Sequence, residues 1–458
     1  MKVDSVHIIM QLSIINGGLK MKKIISIFLA LASILALFAF TACGSDKDGG
    51  GKTEIEYPDL VQSEYAGTEI EFMHFWQDAD KAIQDMAKYF SEGTGIKVTV
   101  TLSPVSTHLT SLNTKMQTNT MPALYTMWPG ATMPEYVNSG WVMDLTDYKG
   151  EWMERMNKDA YASCVTNDKL YIAPVNMAFM GIAYNKTIFK RNNVEPPKNM
   201  ADFERIMDVL KTDTNLSYPM IWGNDCSANM IYLMALSSLY QKTPDFDAKV
   251  SAGQMNFKND TMVEIYEKLF IDWAEKGYYN AETCGTIDRM SKAAAQFVLG
   301  KTAMMRLGGW DLAVIDELIE ESGGSLDYGM FPIPGADNDG SVLAAAGEAV
   351  AVNAKLSEKE KGAALEFLDF FLHPAVNGEV CGIINSLSPY SGVEVEAKDC
   401  ITELGTYLDD TSRGWTTWPL DVQNKMGECL DIVSEKGGKD AKMKVLNEHL
   451  DYLASLWK

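Results

Sequence analysis

The feature that most constrains the fold is a strand, a helix and a second strand that follow one another within about 35 residues. Residues from Glu69 to Trp76 are rich in Ile, Phe and Trp and largely alternate in polarity, which is typical of a strand. Apolar residues then recur at helical spacing from Ala82 to Phe90 until Gly93, and Ile96 to Leu102 alternate again. Such a βαβ unit requires parallel strands with a right-handed crossover. We therefore predict that the folded part opens as an α/β lobe.

The rest of the chain predicts further helices and strands in alternation, so the predicted fold class is α/β. Asn199 is expected to cap a helix that contains Phe203 to Leu210, and Ser357 to Glu360 form a capping box before a helix that Pro374 ends. A further helix is expected from Met262 to Trp273, ending at Gly277. Strands are expected at Leu170 to Ala173, Gly181 to Tyr184 and Ala349 to Val352.

The N-terminus has the features of a bacterial lipoprotein signal. Lys22-Lys23 precedes an apolar run from Ile24 to Phe40, and Thr41-Ala42-Cys43 follows. We predict that residues 1–42 are a signal peptide and that residues 43–66 comprise a lipidated Cys43 and a flexible tether. Translation starting at Met21 is an alternative, because the preceding residues do not resemble an export signal.

Two other interpretations of this segment stay open, an N-terminal transmembrane anchor and an ordinary secretory signal. The apolar run of about 17 residues lies at the lower limit of what spans a bilayer. Lipoprotein signals usually carry Leu three residues before the cysteine, whereas this sequence has Phe40. No further membrane-spanning helix is predicted after residue 42.

Composition excludes some classes of function. The 458 residues are enough for two or more domains, and a net charge of −22 argues against nucleic-acid binding, which needs a basic surface. The histidines lie far apart without metal-ligand spacing, so we predict neither a metal nor a cofactor. Six cysteines besides Cys43 lack any Cys-x-x-Cys pair, and both disulfides and buried free thiols are compatible with them. These are Cys164, Cys226, Cys284, Cys381, Cys400 and Cys429.

Six short segments carry a resemblance to a known family. They are Phe90 to Val98; Pro134 to Gly140; Asp144-Leu145-Thr146; Pro174 with Tyr184-Asn185-Lys186, Phe189 and Pro196-Pro197; Phe297 to Trp310, with the pattern F-x-x-G-K-x-A-M…G-x-W; and the proline turn Phe331 to Gly335. In this order they resemble extracellular solute-binding proteins of carbohydrate ABC transporters, the group that contains maltodextrin-binding protein. The resemblance extends from about Gly67 to Lys458.

The resemblance implies a two-lobed, periplasmic-binding-protein-like fold (type II), with a mixed sheet flanked by helices in each lobe and a ligand cleft between the lobes. The first lobe would comprise residues 67–175 and 345–392, and the second 176–344 and 393–458, with a hinge near Pro174 to Asn176. The implied function is capture of a sugar by lobe closure and delivery to membrane permease subunits. We expect a monomer, anchored by lipid at the extracytoplasmic face, and no enzyme activity.

In the first lobe, the candidate ligand contacts follow predicted strands. Sugar rings pack on aromatic faces, and their hydroxyls need side chains that donate and accept hydrogen bonds. Trp76, Gln77 and Asp78 supply both at the end of the first strand. The alternative is that Trp76 is core and Asp78 caps the next helix. Trp128 occupies the next cleft loop of the family, and Pro129-Gly130 follow it where maltodextrin binders have a carboxylate, which disfavours a linear maltodextrin.

In the rest of the chain, the resemblance makes Trp310 a sugar-stacking residue, with Asp311 beside it. Trp222, followed by Asn224 and Asp225, ends a predicted strand, and Glu348 is a carboxylate beside a buried strand. Trp415 and Trp418 resemble an aromatic loop that returns over the sugar, and the sequence does not distinguish between them. Buried core is the alternative for Trp128 and Trp310, and the role of Trp222 stays open.

Two other functions stay open. A secreted glycosidase would need two carboxylates about 5 to 10 Å apart in the cleft, although the sequence lacks Gly-x-Ser-x-Gly, phosphate-loop and His-Glu-x-x-His motifs. A binding protein for peptides, polyamines or organic anions is the second alternative. An anion receptor would be expected to offer a cleft arginine, and only Arg306 and Arg413 lie near the candidate segments.

Overall fold

A computed structural model describes residues 56–130, 132–223, 227–343, 345–407 and 418–457, with side chains omitted at 158, 159 and 163. All of these residues belong to one structural unit, Ile55–Lys458. The predicted signal peptide and Cys43 lie outside the described residues. Among the described residues, no helix combines the length and the hydropathy needed to cross a membrane.

The strands, in chain order, are β1 Glu69–His74, β2 Lys97–Leu102, β3 Leu124–Met127, β4 Val165–Thr166, β5 Lys169–Leu170, β6 Ile172–Pro174, β7 Met177–Ala178, β8 Met180–Asn185, β9 Tyr218–Ile221, β10 Thr302–Gly308, β11 Tyr328–Phe331, β12 Ala345–Ala346 and β13 Ala349–Val352. The α-helices are α1 Asp80–Thr94, α2 His108–Thr118, α3 Met133–Asn138, α4 Glu151–Arg155, α5 Lys158–Ser163, α6 Lys186–Arg191, α7 Met200–Lys211, α8 Ser227–Ser237, α9 Leu239–Lys242, α10 Phe246–Ser251, α11 Asp260–Glu267, α12 Trp273–Lys276, α13 Ala294–Val298, α14 Leu312–Ser322, α15 Glu358–Phe371, α16 Pro374–Ile383, α17 Asp399–Gly405, α18 Leu420–Lys425, α19 Leu430–Ser434 and α20 Lys439–Leu456. Short 3₁₀ turns lie at Val105–Thr107 and Gly309–Asp311, and π-helical turns at Lys268–Asp272 and Arg289–Ala293.

The first sheet has five strands in the order β2-β1-β3-β13-β6. β1 pairs in parallel with β2 and β3, whereas β13 runs antiparallel to β3 and β6, so strand directions are mixed. The predicted βαβ unit is confirmed as β1, α1 and β2. Its helix buries Ile83, Met86 and Phe90, and Gly95 ends it in the left-handed conformation that glycine adopts without steric cost.

The second sheet has four strands in the order β11-β8-β10-β9 and is also mixed. β10 lies antiparallel to β8 and parallel to β9. Asn199 caps α7 through its side chain, as predicted, and Ser357 forms the predicted capping box of α15. Two clusters of buried apolar residues form the core. One contains Phe72 and Leu124 of the first sheet together with Met305 of the second, and the other contains Met220 and Met304 of the second sheet.

Three segments pass between the two sheets. Residues 175–179 connect β6 of the first sheet to β8 of the second, and β12 pairs with β7 on the return path. A third segment, 384–390, lies beside them, where Met177 donates a backbone hydrogen bond to Leu387 (2.8 Å). The molecule thus has two α/β lobes joined by multiple crossings, which confirms the predicted architecture. The residue boundaries of the lobes stay a prediction.

Residues 56–66 differ from the flexible tether expected there. Tyr57 donates a hydrogen bond to Glu379 (2.5 Å), and Ser63 donates one to Glu366 (2.6 Å). Leu60 lies so close to Gly93 that a side chain at position 93 would collide with it. This segment therefore packs on the first lobe, because its aromatic and apolar side chains find partners on α1, α15 and α16.

Candidate functional site

A cavity of about 610 Å³ lies between the two sheets, in the volume range of small-molecule sites. Its wall is formed by residues next to strand ends. Gln77 and Asp78 come after β1, Trp128 after β3, Trp310 after β10, and Glu348 before β13. Ligand sites of α/β proteins occur at such strand ends. The structure thus brings together candidate residues that are up to about 270 positions apart in sequence.

Trp128 presents an aromatic surface from the first lobe. Its indole is half-buried and stacks on Phe75 with ring centroids 4.3 Å apart and an interplanar angle of 10°. His108 meets it edge-on at 6.0 Å. Phe75 and His108 fix the orientation of Trp128 from behind, because offset and edge-to-face contacts favour defined ring geometries.

Trp310 lines the same cavity from the second lobe. It is 41% exposed, which is unusual for so large an apolar side chain. Its ring lies over Gly308, where an added Cβ would come within 2.4 Å of the indole. The Arg306 guanidinium lies 5.8 Å from the centroid of the Trp310 ring, in the range of a cation–π contact. Gly308 and Arg306 together support this exposed indole.

Asp311 does not line the cavity, in contrast to the prediction of a ligand contact. Its buried carboxylate accepts hydrogen bonds from Arg306 Nη1 (3.1 Å), Arg289 Nη1 and the Gly308 backbone N–H (2.9 Å). A buried carboxylate needs such partners to offset its desolvation. Asp311 therefore holds the turn that carries Trp310, and we remove it from the set of proposed ligand contacts.

Trp76 reaches the cavity mainly with its edge. It is 6% exposed, and its ring lies 5.9 Å from His74 and 6.2 Å from Phe371, both in stacked orientations. Its buried indole N–H has no hydrogen-bond partner among the described residues. Trp76 thus belongs to the core on its faces, as the alternative interpretation held, and its indole N–H lies close to the Glu348 carboxyl on the cavity wall.

Gln77 and Asp78 are exposed and line the cavity. The alternative role of Asp78 as a helix cap is not what the structure has, because Ala79 is the N-cap of α1 and no side chain caps that end. Both side chains are therefore available to a ligand in the cavity.

Glu348 is half-buried and lines the cavity from the crossing between the lobes. Burial raises the pKa of its carboxyl, while the neighbouring Asn176 amide and Trp76 indole lower it. The indole N–H has this influence without reaching hydrogen-bond geometry. The carboxyl thus has two protein donors nearby and retains lone pairs that can accept from a ligand.

The two histidines behind the aromatic residues are uncharged near neutral pH. Burial lowers the pKa of His74 to about 4, although a hydrogen bond to Asp80 (3.1 Å) opposes the shift. Burial also lowers the pKa of His108, which is bonded to the Thr126 carbonyl (2.8 Å). His74 packs on Trp76 and His108 packs on Trp128, and both histidines do so as uncharged rings.

Trp222 and Trp418 lie outside the cavity. Trp222 is buried, and its ring contacts that of Tyr279 with centroids 4.1 Å apart and an interplanar angle of 43°. It lines a separate cavity of about 110 Å³ in the second lobe. Trp418 is fully buried and donates from its indole N–H to Asp247 (2.9 Å) and Tyr240 (3.0 Å). Both are core side chains here, and we remove them from the proposed site. The third candidate, Trp415, lies outside the described residues, as do Asn224 and Asp225.

Several residues that line the cavity were not predicted as ligand contacts from the sequence. Asn176 lies on the crossing from β6 to β7, and Asn385 and Ser386 lie on the third crossing segment. The only sequence signal near Asn176 was the expected hinge. Asn385 adopts a left-handed backbone (φ 50°), and its carbonyl lies 2.9 Å from where a Cβ on Gly309 would be. Gly309 therefore permits this close approach of the second lobe.

Among the described residues, no group of three or more His, Cys, Asp or Glu side chains could hold a metal ion. Five cysteines in this part of the chain, Cys164, Cys284, Cys381, Cys400 and Cys429, are buried free thiols. Cys226 lies outside it.

Comparison with known proteins adds to this geometry. The sequence profile of the bacterial extracellular solute-binding proteins matches residues 76–378. The diacetylchitobiose binding protein DasA of Streptomyces coelicolor is 26% identical over 381 residues, which cover 78% of this chain and 80% of DasA. An uncharacterized ABC transporter extracellular-binding protein of Pyrococcus horikoshii, PH1039, is 23% identical over 207 residues, and that match spans only 46% of its length.

The fold has many solved counterparts. The structure of the solute-binding protein RafE in complex with raffinose superposes with a TM-score of 0.66 at 18% identity, over 85% of this chain and all of RafE. The fold is therefore that of the two-lobed periplasmic binding proteins. The chain belongs to the family of bacterial extracellular solute-binding proteins.

Proposed function

We propose that this protein binds a sugar or oligosaccharide between its lobes and delivers it to the permease of an ABC transporter. The observation that carries the proposal is the pair of tryptophans, Trp128 and Trp310, that line one cavity from different sheets. Sugar rings present C–H groups that pack on such aromatic faces. A ring held between them contacts both lobes at once, so binding stabilises the closed arrangement.

The polar residues of the cavity support the same ligand class. Gln77 and Asn176 have side-chain amides that donate and accept, while Asp78 and Glu348 accept. Hydroxyl groups of a sugar need this mixture of donors and acceptors. The relatives support it too, since DasA is named for diacetylchitobiose and RafE was solved with raffinose.

The arginine near the site does not favour an organic anion. Arg306 is buried, pairs with Asp311 and lies beneath Trp310, so it is already engaged as structural support. Arg413 lies outside the described residues. A neutral sugar is therefore the better match to the described wall of the cavity.

A glycoside hydrolase is the second candidate, because Asp78 and Glu348 place two carboxylates in one cavity. The raised pKa of Glu348 is also a property of general acids. The family favours the binding protein.

A sugar panel tests both candidates. Raffinose, diacetylchitobiose, maltotriose and xylotriose are each added in a thermal-shift assay, and each mixture is then analysed for cleavage products. A bound sugar at about 100 times its dissociation constant should add roughly 2.7 kcal/mol to stability. We expect stabilisation by at least one sugar and no products. Cleavage would establish the hydrolase, and the absence of any shift would contradict sugar binding.

The protein is further proposed to act as a monomer tethered to the outer face of the cell membrane through Cys43. The support is the sequence of Lys22-Lys23, apolar run and Thr41-Ala42-Cys43. The lobe boundaries 67–175 with 345–392, and 176–344 with 393–458, belong to the same proposal. They agree with the strands of the two sheets, since β13 returns to the first sheet after β11 of the second.

Cys43→Ser should release the protein from membranes or leave it unprocessed in a host that processes lipoproteins. A thioether-linked lipid needs the cysteine sulfur, and serine cannot provide it. Membrane fractionation and the mass of the N-terminal peptide measure the outcome. Normal processing and unchanged membrane association of the variant would contradict lipid anchoring, and an unprocessed wild type would indicate an uncleaved anchor.

A further inference from the structure

We propose that Glu348 is the specificity-determining acceptor of the site: its carboxylate receives hydrogen bonds from hydroxyls of the bound sugar, next to a donor from Trp76, and makes capture dependent on pH. This inference rests on the proposed function. It assigns to one side chain a polar subsite at the crossing between the lobes.

The backbone around Glu348 is held in place by hydrogen bonds. The Glu348 N–H donates to Asn176 Oδ1 (2.7 Å), and the Glu348 carbonyl accepts from the Val175 N–H (2.8 Å). The Gly347 N–H donates to the Asn176 carbonyl (2.9 Å). These bonds join the outgoing and returning segments between the lobes. The carboxylate is therefore preorganised at the base of the cavity and belongs to the connection between the two moving parts.

Two side chains at this point, Trp76 and Glu348, retain hydrogen-bonding capacity for a ligand. The buried Trp76 indole N–H has no partner among the described residues, and buried donors are rarely left in that state. Burial raises the pKa of the Glu348 carboxyl beside it, the Asn176 amide and the Trp76 indole are close enough to lower that pKa, and a carboxylate has further lone pairs that can accept from a ligand. A sugar hydroxyl both accepts and donates, so one hydroxyl can accept from Trp76 while it or its neighbour donates to Glu348. The subsite thus matches a ring that presents hydroxyls, and a carboxylate or sulfate of an acidic sugar would meet like charge there.

Few other charged or titratable groups surround Glu348 among the described residues. Cys381 of α16 faces it, and burial raises the pKa of that thiol further above neutrality. Asp78 lies on the cavity wall, and Arg306 is paired with Asp311 in the second lobe. The crossing strand offers only uncharged Asn176 and Met177. His74, behind Trp76, has a pKa near 4.

The sign of the pH effect follows from linkage. Burial raises the pKa of Glu348 in the empty protein, so the neutral acid persists to higher pH than for an ordinary glutamate. Hydroxyl donors favour the ionised form and therefore lower the pKa in the complex. Sugar affinity should be greatest above the pKa of the empty protein. As pH falls through that pKa, affinity should decline by up to about tenfold per pH unit.

The test measures affinity by calorimetry between pH 5 and pH 8, for wild type and Glu348→Gln, with the tightest-binding sugar of the panel. Glutamine keeps the shape of the side chain and does not titrate. We expect Glu348→Gln to bind about 10- to 100-fold more weakly at pH 8, the effect of losing a hydrogen bond to a charged group. We also expect its pH dependence to be lost. Glu358→Gln, at an exposed position on α15, should behave like wild type.

Small-angle scattering of sugar-saturated Glu348→Gln is the second measurement. We expect the radius of gyration to fall as in wild type, because lobe closure should still occur in this variant. A variant with wild-type affinity and wild-type pH dependence would overturn the assignment of Glu348, while sugar binding itself stood. If none of the four sugars bound to wild type, the proposed function would fail and this inference with it. A lowered melting temperature of the sugar-free variant would show that Glu348→Gln is misfolded. In that case Glu348→Asp is measured instead, and we expect its affinity to depend on pH because aspartate retains a titrating carboxyl group.

Discussion

Trp310→Ala should weaken sugar binding by about 2–4 kcal/mol, the range of aromatic hot spots at interfaces. The empty protein should melt at nearly the same temperature, because the indole is 41% exposed and lies on the cavity wall rather than within a core cluster. Calorimetric titration gives the affinity, and differential scanning calorimetry of the apo protein gives the stability. The two quantities should separate because Trp310 lines the cavity and is partly exposed, so a bound sugar contacts it directly.

The opposite result has a clear meaning. A large loss of apo stability with intact affinity would show that Trp310 is a core side chain. Leu299→Ala, which truncates another exposed apolar residue of the second lobe, is the control and should alter neither quantity.

Trp418→Ala should destabilise the empty protein by about 3–5 kcal/mol, because it leaves a large cavity in the second lobe. Trp418 packs edge-to-face on Phe257 at 5.0 Å, and its N–H satisfies Asp247 and the Tyr240 hydroxyl. Denaturant unfolding measures this loss. At a temperature where the variant stays folded, its sugar affinity should be close to wild type, since Trp418 lies outside the cavity.

Trp310 and Trp418 thus form a matched pair, with the same substitution and opposite consequences. If Trp418→Ala kept its stability but lost much of its sugar affinity, Trp418 would be a ligand contact after all. It would also show that the cavity between the sheets is incomplete as described.

Local elements could be predicted from the sequence because their signals are local. The alternation in β1 and β2, the spacing of α1, the Asn199 cap and the Ser357 capping box all act within a few residues. The predicted helix from Met262 to Trp273 shows the limit of such signals. It exists as α11 and α12 and ends at Gly277, but a π-helical turn at Lys268–Asp272 interrupts it.

The candidate site was predictable only in part. Strand-end reasoning and the resemblance led to Trp128, Trp310 and Glu348, which the structure places around one cavity. The same reasoning failed for Trp222, because a strand end does not reveal whether the side chain turns toward the cavity or the core. It also failed for Asp311, whose two arginine partners lie 5 and 22 residues away and are brought to it by packing.

Asn176 and Ser386 illustrate the part that sequence could not supply. Their proximity depends on three chain crossings meeting at one place, where Ser386 donates to the Met177 carbonyl. Such non-local contacts leave no periodicity in the sequence. The polar residues that the crossing segments add to the cavity wall were therefore not predictable from the sequence.

The central claim is that a sugar closes the two lobes around itself, and small-angle scattering with and without saturating sugar tests it most directly. The radius of gyration should fall when the tightest-binding sugar of the panel saturates the protein, because Trp128 and Trp310 contact the ring together only when the cleft is shut. An unchanged radius of gyration, with bound sugar confirmed by calorimetry on the same sample, would contradict capture by closure.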